Sequence, residues 1–113
     1  MPPVEDYAAI RRISERDAQV LEEKGKTYGR SWLKRGGVGA MMMLSRKWDR
    51  IENIVKEHGW DVIAAGYANA GDIMDDIGDL RRYLLLVEAE VNARSSKVIP
   101  AEYIDPDRGG GTG

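Results

Sequence analysis

Apolar residues recur along this chain at helical spacing in three long segments separated by glycines. In the first, Glu5 to Lys24, the residues Ile10, Ile13, Val20 and Leu21 share one face. Acidic residues open the segment and Gly25 follows it, the signals that start and stop a helix. Asp17 falls where the apolar stripe should continue. The general habit of Asp places it in solvent, or in a salt bridge at the stripe's edge. The alternative is a carboxylate turned into a polar pocket inside the bundle.

The second segment predicts a helix from Val38 to His58, with Met41, Leu44, Trp48, Ile51 and Val55 on one stripe and Gly59 at its end. Residues 60–70 predict a short helical connector. The last helix, predicted over Gly71 to Asn92, carries Ile73, Ile77, Leu80, Leu84, Val87 and Val91 at steps of four and three. Such a seam predicts packing along the whole helix. The pattern stops after Arg94, which predicts one helical domain over residues 1–94 and a flexible tail over 95–113. The expected fold is therefore all-α, a bundle of three long helices and a connector. Seams this long cannot cover one another in so short a chain. A four-helix-type core completed by a homodimer or higher homo-oligomer is expected.

Composition narrows the function classes. A chain of 113 residues suits one domain, and 42% hydrophobic with 32% charged residues is a globular balance. Phe is absent, so the core is aliphatic with Met, Trp and Tyr as fillers. Cysteine is absent too, which excludes disulfides, zinc–thiolate sites and thiol nucleophiles. His58 is the single histidine, a capping cation at a helix end. A net charge of −2 opposes general nucleic-acid coating, which depends on neutralising phosphates. The N-terminal residues lack an apolar signal core, and no run approaches the ~18 apolar residues of a membrane span. These features predict a cytoplasmic protein with no membrane partner.

Candidate chemistry lies in two places. Residues 24–39 predict a structured loop, with Gly25, Gly29, Gly36, Gly37 and Gly39 among the bases Lys24, Lys26, Arg30, Lys34 and Arg35. Tyr28 and Trp32 sit between those bases. On a helical wheel Asp72, Asp76 and Asp79 cluster within about 60° along one flank of the last seam, and Tyr83 continues the row. On the second helix Glu52 borders the stripe, with Asp49 one turn earlier and further out. Carboxylates at this spacing repel unless neutralised. A hard divalent cation, magnesium or alternatively manganese, does that well. A solvated acidic face paired with Arg81, Arg82 or Lys56 is the plainer account.

Asp49-Arg50-Ile51-Glu52, a spacer of 23 residues, then Asp76-Ile77-Gly78-Asp79 resembles the metal-binding signature of the all-α NTP pyrophosphatase superfamily, the MazG and dimeric-dUTPase group. That signature is E-x-x-E, then E-x-x-D, on two helices of a four-helix bundle. Lys26 to Trp32 followed by Arg46 to Arg50 is similar to small phage-associated nucleotide-modification domains. The resemblance spans roughly residues 10–92, with Asp49 and Asp76 standing where the family has Glu. It implies a dimer and a magnesium-dependent pyrophosphohydrolase acting on a (deoxy)nucleoside triphosphate. Glu52, Asp76 and Asp79 match the metal ligands, and Asp49 matches a ligand or water-orienting base beside Glu52 in the catalytic pair.

In that reading Tyr28 and Trp32 stack on a base, and Lys26, Arg30 and Lys47 contact phosphate oxygens, with Tyr83 nearby. Two further readings stay open. One is a protein of the same fold that sequesters a nucleotide without hydrolysing it. The other is a helical interaction module in which the apolar seams are oligomer contacts and the charges a solubilising surface. For the loop itself, the plainer account has Tyr28 and Trp32 plug the bundle's end while the bases stay in water.

Overall fold

The computed structural model describes residues 6–98, which form four α-helices and one turn of 3-10 helix, with no strand among them. Helix α1 spans Tyr7–Tyr28, α2 Gly36–Lys56, α3 Val62–Ala68 and α4 Ala70–Val98. The all-α expectation holds at that level. Residues 99–113, most of the expected tail, lie outside the described residues, and α4 itself runs on through Val98.

Local chemistry sets the helix ends. Asp6 caps α1 by accepting from the Ala9 amide at 2.9 Å, and Asp61 caps α3 by accepting from Ile63 and Ala64. The α1 helix passes through Gly25 and stops one turn later at Gly29, whose φ of 58° and ψ of −128° suit only glycine. The basic segment is therefore a shorter loop than its glycines predict. Gly25 is helical, Ser31–Leu33 make the 3-10 turn, and Gly36, Gly37 and Gly39 already belong to α2. A glycine costs a helix only about 1 kcal/mol, which neighbouring contacts can offset. At the far end of α2, His58 Nδ1 donates to the Ile54 carbonyl at 2.9 Å, the capping role expected of it.

Helices α2 and α4 are antiparallel. Lys47 meets Asp79 at 2.9 Å and Arg50 meets Asp76 at 3.1 Å, so numbering falls on one helix as it rises on the other. Beside these ion pairs Ile51 and Ile73 are buried together with Ala65 of α3, and Ile54, Val55, Ile77 and Leu80 pack around them. This core lies at the α2 C-terminal end. The expected full-length seam is closed mainly there: at the other end Ala40 is buried and Leu44 and Val87 partly so, but Leu84 is 49% and Val91 56% exposed on α4, as are Met41 (60%) and Trp48 (53%) on α2. The reason is length. The seven residues of α3 reach about 10 Å, against about 43 Å for α4.

Helix α1 runs parallel to α4 and is tied to it through Asp17. That side chain is 1% exposed, contrary to the solvated habit of Asp. Arg81 grips it through Nε and, at 3.0 Å, through a terminal nitrogen, while Arg82 adds a third bond at 3.2 Å. Gly78 makes room for this clasp, since a Cβ there would lie 3.1 Å from the Arg82 guanidinium. Two arginines on one carboxylate satisfy a charge that burial would otherwise make costly. Ile10 and Ile13 stay nearly half exposed, so the ion pairs carry more of the α1 docking than its apolar stripe does.

Asp17→Asn should lower the unfolding free energy by about 3 kcal/mol at neutral pH, the low end for breaking a buried pair because Arg81 is partly exposed. Hydrogen bonding from Arg81, against the opposing effect of burial, holds the Asp17 carboxyl below its ordinary value of 3.8. Its contribution is therefore complete above that value and fades as pH falls through the lower, folded-state value. Denaturant titrations of both proteins should show the stability gap closing in acid below about pH 4.

Candidate functional site

The clasp leaves a wedge between α1 and α4 that the 3-10 turn closes at one end. Within it lies a cavity of about 660 Å³, well inside the ~300–1,000 Å³ range of small-molecule sites. Three aromatic rings line it: Tyr28 from the end of α1, Trp32 from the 3-10 turn and Tyr83 from α4. Leu21 and Leu86 add apolar wall. The charged lining is Lys24, Arg30, Lys47 and Arg82 against Asp79 and Glu90, an excess of two positive charges.

Both carboxylates are already committed. Asp79 accepts from Lys47 and from Arg82, each at 2.9 Å. Burial would raise the Asp79 pKa, but these two cations outweigh it and hold the carboxyl below its ordinary value. Glu90 accepts from Arg94 at 2.8 Å and from Arg30 at 2.6 Å, and lies low chiefly because of Arg94. The Arg30–Glu90 bond ties the loop beyond Gly29 to α4 across 60 residues of sequence. Lys24 has no ion-pair partner among the described residues, and Lys47 and Arg82 are held in place by Asp79. The arrangement can therefore receive an anion with an attached flat ring: fixed cations at one level, aromatic faces beside them.

Of the residues singled out from sequence, Tyr28, Arg30, Trp32, Lys47, Tyr83 and Asp79 all line this one cavity. Lys26 does not; it is exposed and pairs with Glu23 at 3.4 Å, because α1 continues past it and turns it outward. Asp49 is exposed and Glu52 half-buried on α2, and neither borders the cavity. Asp76 is 2% exposed and faces Arg50. The expected ligands Glu52, Asp76 and Asp79 are thus not gathered into a cation site. Among the described residues no three His, Asp or Glu side chains converge in a way that could hold a metal ion. The physical reason is that Arg50, Lys47 and Arg82 supply the neutralising charge that a cation was expected to supply.

The sequence names Lys24 among the loop's bases and Arg82 as a partner for the acidic row, which Arg82 is at Asp79, but places neither of them, nor Glu90, in the site. An Asp interrupting an apolar stripe was the available signal, since a buried carboxylate demands a cation and Arg81–Arg82 is the basic pair on α4. Glu90 carried no comparable signal, because its partner Arg30 is remote in sequence. No protein-family model matches this chain, and no curated protein or solved structure matches it either.

If Asp79 serves mainly as a counter-ion, its neutralisation leaves Lys47 partly buried without an ion-pair partner and Arg82 with Asp17 alone. Asp79→Asn should then cost about 1–3 kcal/mol. A carboxylate held among other carboxylates would respond in the opposite way, with relief of repulsion. Urea unfolding of the variant beside the parent protein separates these signs.

Proposed function

We propose that the α1–α4 cavity binds a small anionic ligand of the nucleotide class, its base against Tyr28, Trp32 and Tyr83 and its phosphates against Lys47, Arg82, Arg30 and Lys24. One observation carries this reading: three aromatic and four cationic side chains share a single 660 Å³ cavity whose two acids are both ion-paired. Aromatic stacking accepts any base, and guanidinium and ammonium groups recognise phosphate oxygens by charge and by directed hydrogen bonds. The loose likeness to the NTP pyrophosphatase signature agrees with the ligand class.

Within that class, binding without hydrolysis is the version we favour. Magnesium-dependent hydrolysis of a phosphoanhydride through these residues would require Asp76 and Asp79 to release Arg50, Lys47 and Arg82 before a cation could be coordinated. The residues present do not fit a magnesium ion in this arrangement, and no chemical step is assigned through one.

A nucleotide panel settles the matter in two readouts. Melting temperature should rise with a nucleoside triphosphate by mass action, with or without magnesium. Trp32→Ala should weaken binding about tenfold through lost stacking, and Lys47→Gln should weaken it and reduce its salt dependence. Pyrophosphate release that needs magnesium and disappears in Glu52→Gln would select hydrolysis instead. The absence of any shift with every nucleotide tested would defeat both versions.

A further inference from the structure

The Arg50–Asp76 and Lys47–Asp79 pairs mark one side of the α2–α4 contact. Helical geometry then fixes the other side. At 100° per residue, Trp48 and Met41 lie on the flank of α2 away from Lys47 and Arg50, and Ile77 and Leu84 lie on the flank of α4 away from Asp76 and Asp79. Both flanks therefore belong to one face of the helix pair. Helix α3 covers one end of that face, where Ala65 sits on Ile51 and Ile73. At the other end Met41, Trp48, Leu84 and Val91 are 60, 53, 49 and 56% exposed, and nothing among the described residues lies over them.

The face is thus a step and a recess. The step is α3, whose outward side, opposite Ala65, carries Ile63 at 66% and Tyr67 at 86% exposure. The recess is one helix deep. A two-fold axis through the middle of the face turns each copy's step into the other's recess, and two seven-residue helices fit end by end along the roughly 30 Å of α2.

We propose that a second copy of this chain covers this face. In the dimer Ile63 and Tyr67 of each protomer fill the Met41–Trp48–Leu84–Val91 recess of its partner. Two observations favour a second copy over an unrelated protein. The face is mainly apolar, with Glu52 and Glu88 at its outer edges, and is continuous with the core through Leu80, which resembles a domain core cut in half, the character of obligate homodimers. Its extent, about 30 Å by the ~20 Å width of two helices, gives a footprint of order 600 Å², close to the ~800 Å² per partner of a stable interface. Among the described residues only Ala40, Ile51, Ala65 and Ile73 are buried as apolar core, so the cover must be present whenever the chain folds. A second copy always is.

Tyr67 provides the sharpest test, because a side chain 86% exposed in one chain is worth nothing to a monomer's stability. Light scattering at micromolar concentration should give twice the 12.6 kDa chain mass. Tyr67→Ser and Leu84→Glu should each halve that mass or lower the melting temperature in a concentration-dependent way. The chain has no cysteine, so single replacements report contacts cleanly. On oxidation, a mixture of Tyr67→Cys and Trp48→Cys chains should cross-link to one another far more than either does with Glu22→Cys, on the outer side of α1. This readout stands even if Leu84→Glu fails to fold. A helical wild-type monomer of 12.6 kDa would overturn the proposal and leave the face to another occupant. A dimer indifferent to Tyr67→Ser, with no preferred cross-link between positions 67 and 48, would equally overturn it.

Discussion

The carboxylate of Asp17, buried between Arg81 and Arg82, is the constraint on which the rest of the structure depends. It holds α1 against α4, and the cavity exists because those two helices are held at one crossing without closing along their length. Apolar contact alone would not fix that crossing, since half of the α1 stripe remains near solvent. A directional, charge-assisted clasp sets orientation in a way that non-directional apolar burial cannot. Arg82 also reaches Asp79, so the same side chain joins the clasp to the cavity wall.

Charge neutralisation is the second organising theme. The acidic row on α4 invites a cation, and three basic side chains answer from α2 and from α4 itself. This changes what the row can do. Carboxylates that position lysine and arginine turn an acidic helix into a scaffold for a cationic pocket, and the pocket's excess of positive charge follows from it. The aromatic residues around that charge are the surface on which the base of the proposed ligand stacks.

Size is the third. A connector helix of seven residues can seat one Ala on the core and no more, so the long seams of α2 and α4 are satisfied at one end and open at the other. Natural cores are close-packed. A face of Met, Trp, Leu and Val left this open is the surface on which the proposed second copy docks.

The periodicity of Ile73, Ile77 and Leu80, and of Ile51 and Val55, determined by itself that these segments are helices and which edge of each faces the core. Periodicity is a local property, written into every window of the chain. The sequence also determined a pocket's materials, because Tyr28, Arg30 and Trp32 lie so near one another that any fold keeps them together. Only the tertiary structure decided which charges meet. Asp17 and Arg81 are 64 residues apart and Arg30 and Glu90 60 apart, and no local pattern encodes such a pairing. It decided the fate of Asp76 and Asp79 for the same reason, since an acidic row reads alike whether a metal ion or an arginine will face it. And it alone decided where the seams stop being buried, because burial depends on how far a neighbouring helix reaches, and the seam of one helix does not record the length of another.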